Sequence, residues 1–361
     1  MPSGLRLQAA AAKTAAAIDG RDIDPAYDPA VVVDRAILHR VSALVARSAW
    51  ARSLPRVEAE RLDEDARLGA LHAALLDREV EHLVARLAGR GVAALVTKGA
   101  HLAHTVYPTP ALRPRADTDL LIDPAERNRT ADVLATCGYS RSTRTSGAVI
   151  LGQFELERRL PADVTHYVDV HWRPAAPLMF ERSFDVRGLA AAARPIAALG
   201  PCARGPGLPD ALALACIHLV AHHWHEILLV WLEDIRLLAD AIDDGGRQQL
   251  VERAVAGSYT VILDAALRTA RLYFDSAGLD RAIAAVAACV NSSEAASALT
   301  RDRRRKVDDL WLDLRHAPWR RRAQLLREHV LPPADYVRAR FGGPAPVAYA
   351  KRFLLGVRKW L

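Results

Sequence analysis

The stretch "RPRADTDLLID", residues 113–123, sets two aspartates one residue apart in front of a run of large aliphatics. Leu120, Leu121 and Ile122 read as a buried strand. Side chains alternate along a strand, so Asp117 and Asp119 share one face while Thr118 and Leu120 share the other. Two carboxylates on one face repel unless a cation lies between them. Hard oxygens of this kind suit Mg²⁺, which keeps some waters and takes substrate phosphates as its other ligands. The same pair serves equally well to begin an ordinary strand, so the rest of the chain has to decide.

Upstream, "LVTKGAHLA" (95–103) reads as a strand, a turn at Gly99 and the start of a helix. Glycine lets the backbone approach a ligand closely, and a helix N-terminus offers free N–H groups to phosphate oxygens. Lys98 adds a point charge. The spacing does not fit GxxxxGK[ST], which excludes a P-loop, and taken alone the stretch is a plain strand-to-helix turn.

Downstream, "YVDVHW" (167–172) sets Asp169 among β-branched and apolar residues, where an unpaired carboxylate is costly to bury. Beside the Asp119 strand it completes a three-carboxylate cluster able to hold two metals, one on a triphosphate and one on an attacking hydroxyl. Pairing with a nearby arginine is the alternative. His171 falls on the same face as Asp169, as an orienting partner or as a simple strand-end histidine.

Around these motifs the hydrophobic period changes twice. Residues 29–90 repeat at helical spacing and close at Gly89 and Gly91. "VAALV" (92–96), "DTDLLID", "QFELERRL" and "HYVDVHW" read as strands, with "PAERNRTADVLATCGY" a helix closed by Gly138. From about Pro209 the pattern is helical again, and "LREHVLPPADYVRARFGG" and "VAYAKRFLLGVRKWL" read as helices joined at a proline–glycine turn. The expected fold is α+β: a small mixed β-sheet core flanked by N-terminal and C-terminal helical regions. The expected division is 1–90, an N-terminal helical region; 91–185, the core; 186–300, a helical domain; and 301–361, a basic C-terminal helical segment.

The order of these motifs resembles the DNA-polymerase-beta-like nucleotidyltransferase superfamily: a strand–Gly–helix cradle, a DxD strand after it, and a lone Asp on a later strand. "TKGAHLA", "VYPTPALR", "ADTDLLI", "CGY" and "VDVHW" resemble more narrowly its uncharacterised bacterial nucleotidyltransferase branch, closely over residues 92–174. The resemblance implies a nucleotidyltransferase core and an Mg²⁺-dependent (or Mn²⁺-dependent) transfer of an NMP from an NTP donor to a hydroxyl or similar nucleophile, releasing pyrophosphate. It implies Asp117, Asp119 and Asp169 as metal ligands and catalytic residues, with Asp169 as base or helper of the metal. Gly99 would admit the phosphates, and Lys98 and Arg113 would neutralise them. The chain departs from the superfamily at Ala100, where a serine is usual, so one phosphate-binding hydroxyl is missing.

The acceptor is left open among small molecules, peptides and proteins, with an RNA end (a tRNA-like nucleotidyltransferase or a toxin) as the alternative. A non-catalytic nucleotide-binding interaction module is a further alternative, supported by Ala100 and opposed by three intact carboxylates. A glycosyltransferase DxD would need a long run of alternating strands and helices before it, and the residues before Asp117 are mostly helical.

Composition narrows the remaining classes. The net charge of +7 is local: residues 301–361 hold 16 Lys/Arg against 6 Asp/Glu, and the other 300 hold 33 against 36. The runs "RDRRRK" and "WRRRAQ" make RNA a possible partner, although they read first as a solvated helical face. "KRFLLGVRKWL" is also short, basic and amphipathic enough to touch an anionic membrane. Cys137, Cys202, Cys216 and Cys289 form no CxxC pair, which fits a reducing cytoplasm better than a zinc site or disulfides.

"LQAAAAKTAAAIDG" (7–20) reads as a frayed helix rather than a signal peptide. "ALALACIHLVAHHWHEILLVWL" carries four histidines and a glutamate, which argues against a transmembrane span and for a soluble protein. His218, His222, His223 and His225 lack the HExxH spacing and read as packing residues, with His222 or His223 placed to line a cleft. Asp234 reads as a structural partner of Arg236 or of a site arginine.

Overall fold

The computed structural model describes residues 9–360 apart from 24–26, 146, 182 and 302–304. Seven strands, β1 (Leu95–Thr97), β2 (Asp117–Leu121), β3 (Ser140–Arg141), β4 (Gln153–Arg159), β5 (Thr165–His171), β6 (Arg194–Pro195) and β7 (Arg204–Gly205), make one mixed sheet in the order β3-β4-β5-β2-β1-β7-β6. β2 runs parallel to β5 and antiparallel to β1, and β4 runs antiparallel to β5. Helices surround this sheet, so the fold is α+β.

Every strand expected from the motifs forms. β1 begins at Leu95 rather than Val92 because the chain is still closing the preceding 33-residue helix Arg56–Ala88: Gly91 takes φ +73°, and Val92 N–H bonds back to Leu87 O at 3.0 Å. β3, β6 and β7 are two-residue strands that no apolar run announces. The last two carry the sheet past residue 185 to Gly205.

The alternation of β2 and its neighbours sorts the sheet into two unlike faces. Val96, Leu120, Val168, Val170 and Leu156 point to one side and pack against Val80, Leu83, Val84 and Leu87 of Arg56–Ala88. Each of these fully buried aliphatics contributes about 1.5–3 kcal/mol. His166 also lies on this face, fully buried, bridging Thr118 Oγ1 (2.9 Å) and the Tyr139 hydroxyl (2.7 Å). The other face presents Thr97, Asp117, Asp119, Asp169, His171 and Glu155, which the register aligns across four strands.

A second hydrophobic core joins Leu208–His222, Leu229–Ala241 and Thr260–Arg271 to the N-terminal helices Ala9–Ile18 and Pro29–Leu38. Ala9–Ile18 corrects the expectation of a frayed segment. Ala11, Ala15 and Ala17 are fully buried, because side chains this small let the helix press close against its neighbours. The C-terminal segment forms Lys306–His316, Trp319–Val330, Ala334–Phe341 and Ala345–Trp360, broken at Pro332–Pro333 and at Gly342–Gly343. No described helix is long and apolar enough to cross a membrane.

Candidate active site

β2 and β5 lie side by side with Asp119 paired to Asp169 and Leu121 to His171. This register, invisible to motif spacing, turns two separate stretches into one cluster. Among the described residues, Asp119, Asp169 and His171 are the three side chains whose ligand atoms come within 4.8 Å of one another. Asp117 stands on the same face at the exposed start of β2, outside that trio.

Lys98 reaches into the cluster from the end of β1. Its Nζ donates to Asp119 Oδ1 at 2.6 Å and lies 3.4 Å from His171 Nε2, which is itself 2.8 Å from the same Oδ1. To place the ammonium there, Lys98 takes φ +50°, a left-handed conformation that costs a non-glycine residue about 1–3 kcal/mol. The strain of the turn therefore sits on Lys98 and not on Gly99. Gly99 has an ordinary φ, and its missing side chain faces the Arg113 guanidinium: an added Cβ would lie 3.4–3.5 Å away. Ala100 is buried behind the turn.

The electrostatics are uneven. Burial raises the Asp119 carboxyl, but Lys98 and then His171 outweigh it and hold the group well below the usual carboxylate range. Among the described residues no cation is bonded to Asp169, which feels Lys98 only from farther off. Burial first, and the Asp119 charge second, push it up to about 8, and its buried Oδ1 has no hydrogen-bond partner. His171 is lowered by burial and then by Lys98, so its imidazole is neutral. An orphaned carboxylate oxygen beside an ionised carboxylate and a neutral imidazole is a donor set for a hard divalent cation such as Mg²⁺ or Mn²⁺.

Arginines pin the DxD strand from both sides. Arg113 grips Asp234 of Leu229–Ala241 with Nε and Nη2, both at 2.7 Å, and gives Nη1 to Pro114 O. The Tyr107 hydroxyl donates to the same Asp234 at 2.8 Å. Asp234 thus pairs with the site arginine, and Arg236 pairs with Glu233 instead. Arg115, buried, bonds Asp77 of Arg56–Ala88 at 2.6 Å.

The cluster opens into a cleft of about 660 Å³ between the sheet and the helical core. His218, His222 and His223 line its far wall, with His223 stacked on Trp231 at a ring separation of 4.0 Å. Burial, followed by the Lys98 charge, holds His218 well below the usual histidine range, and His225 lies outside the wall. The cleft lining expected of His222 or His223 thus takes in both of them and His218 as well.

Two contributors escaped sequence reasoning. Glu155 of β4 is the register partner of Asp169, is only 6% exposed, and its Oε1 lies 3.8 Å from Arg144 Nε without a hydrogen bond among the described residues. The alternation of "QFELERRL" gave its face, but only the pairing of β4 with β5 gives its neighbour. Arg40 lines the cleft from the N-terminal region at φ +58°, and nothing in its local sequence marks it.

Residues 25–275 match the family described as uncharacterised nucleotidyltransferase. The chain belongs to this family. The match runs through the sheet, the cleft and the helices that supply Asp234 and the histidine wall, so the candidate site lies within the family's own span. No curated protein matches the chain.

Proposed function

We propose that this nucleotidyltransferase moves an NMP from an NTP to a hydroxyl or similar nucleophile of a small-molecule, peptide or protein acceptor, with Mg²⁺ or Mn²⁺ and release of pyrophosphate. The observation that carries this reading is the unpartnered Oδ1 of Asp169, held in register beside an Asp119 already neutralised by Lys98. Asp119, Asp169 and His171, with Asp117 at the cleft mouth, would hold the metal. When bound, a divalent cation there neutralises triphosphate charge and makes an attacking hydroxyl more acidic.

The chain's own groups supply positioning and charge. Lys98 and Arg40 face the triphosphate with positive charge, and Gly99 lets the phosphates approach the turn. Arg113, engaged by Asp234, keeps that turn in place. The acceptor oxygen bonds to the α-phosphorus as the bond to the bridging oxygen breaks, and pyrophosphate leaves with that electron pair. The acceptor proton passes to the carboxylate of Asp169 in its ionised form.

The test is incubation of the full chain with each α-labelled NTP, Mg²⁺ and a panel of acceptors. Label should move to an acceptor with stoichiometric pyrophosphate, and Asp119→Asn should abolish both signals. Absence of NTP and metal binding by calorimetry would leave the reading without a mechanism.

A further inference from the structure

The helix Ala345–Trp360 presents its apolar side to water. Its inner side carries the fully buried Ala348, Tyr349 bonded to Pro332 O, and Arg352 bonded to His329 O and Val330 O. Read at helical spacing, Val347 (46%) and Leu354 (70%) lie opposite that inner side, while Phe353 (71%) and Leu355 (55%) flank them and are also exposed. Lys351 is the charged residue described among them. Of the eighteen exposed large hydrophobics among the described residues, ten fall between Val307 and Leu355, so the feature is regional and not a stray surface leucine.

Charge indicates what covers this face. Residues 301–361 carry the +10 balance and lie outside the matched span of 25–275. Two copies meeting here would bring these positive segments together. RNA would find Leu and Val where it needs cations and stacking rings. An anionic lipid surface satisfies both parts, since basic side chains meet headgroups while Leu, Val and Phe enter the acyl boundary. A 16-residue helix is roughly 24 Å long and too short to span, so it lies along the surface.

We propose that Ala345–Trp360 docks the protein on an anionic membrane surface through its exposed Val347, Phe353, Leu354 and Leu355. The test is co-sedimentation of the full chain with mixed phosphatidylcholine–phosphatidylglycerol vesicles and with pure phosphatidylcholine vesicles. Binding should be at least about tenfold tighter on the anionic vesicles and weaken as salt is raised. Phe353→Asp with Leu354→Asp should lose at least about tenfold, with an unchanged circular dichroism spectrum. Lys351→Glu, which keeps the apolar side, should weaken anionic binding alone. The proposal is overturned by no binding to anionic vesicles or by equal binding of the Asp variant. It is equally overturned by a dimer in sedimentation velocity that the Asp variant abolishes, or by RNA binding in place of vesicle binding.

Discussion

Asp119 and Asp169 are register partners on parallel strands, yet of the two Asp119 alone has a bonded cation, the Lys98 ammonium 2.6 Å from its Oδ1. The asymmetry predicts a split between activity and stability. Asp169, raised to about 8, has to take up a proton when the chain folds at neutral pH, so Asp169→Asn removes that cost and stabilises the chelator-treated protein on the order of 1–3 kcal/mol at about pH 7. The same change should lower nucleotidyl transfer at least a hundredfold, on the order of the loss when an acid–base group is removed. Urea unfolding and label transfer on one preparation check both; a destabilised variant would contradict the repulsion.

Arg113 and Asp234 form a buried two-pronged ion pair, so either truncation strands a charge. Arg113→Ala and Asp234→Ala should each cost about 3–5 kcal/mol, and the double variant clearly less than their sum. A double-mutant cycle by denaturant unfolding measures the coupling. Additive losses would show that the pair does not hold the turn.

Gly99→Ala separates packing from ligand approach. The added Cβ meets Arg113 at ordinary contact distance and the backbone φ is unstrained, so stability should change by less than about 1 kcal/mol. NTP affinity should nevertheless fall about tenfold, because the Cβ, seated against the Arg113 guanidinium on the cleft wall, narrows the approach to the turn. Calorimetry with a non-hydrolysable NTP reads this directly, and unchanged affinity would remove Gly99 from the nucleotide site.

His166 predicts a pH dependence. Burial, with Arg115 nearby, lowers its pKa to about 3, so the folded protein keeps the ring neutral between Thr118 and Tyr139. The unfolded chain takes up that proton below about 6.5. The stability tied to the neutral ring is therefore complete above 6.5 and is lost as pH falls from there toward 3. His39 and His101, both lowered to about 4 by burial, act in the same window. Unfolding midpoints across this range should show His166→Gln reducing the slope by up to about one proton. An unchanged slope would place the acid sensitivity elsewhere.

Much of this site was legible in the sequence because strand alternation and turn chemistry are local. "ADTDLLI" and "YVDVHW" gave both the strands and the faces of Asp117, Asp119, Asp169 and His171. What local pattern does not encode is which strands are neighbours. Glu155 beside Asp169, the Arg113–Asp234 pair across 121 residues, and Arg40 at the cleft mouth all arise from pairing and packing. β3, β6 and β7 are too short to carry a period. The Ala-rich Ala9–Ile18 helix is held by close approach of small side chains, which hydrophobicity undervalues.

The central claim is that Asp119, Asp169 and His171 form a divalent-cation site under a bound nucleotide. Crystals soaked with Mn²⁺ and a non-hydrolysable NTP should show an anomalous peak within bonding distance of Asp119 and Asp169, with Lys98 displaced toward the phosphates. A peak confined to the His218, His222 and His223 wall, or nucleotide bound with no peak between the two aspartates, would contradict the account.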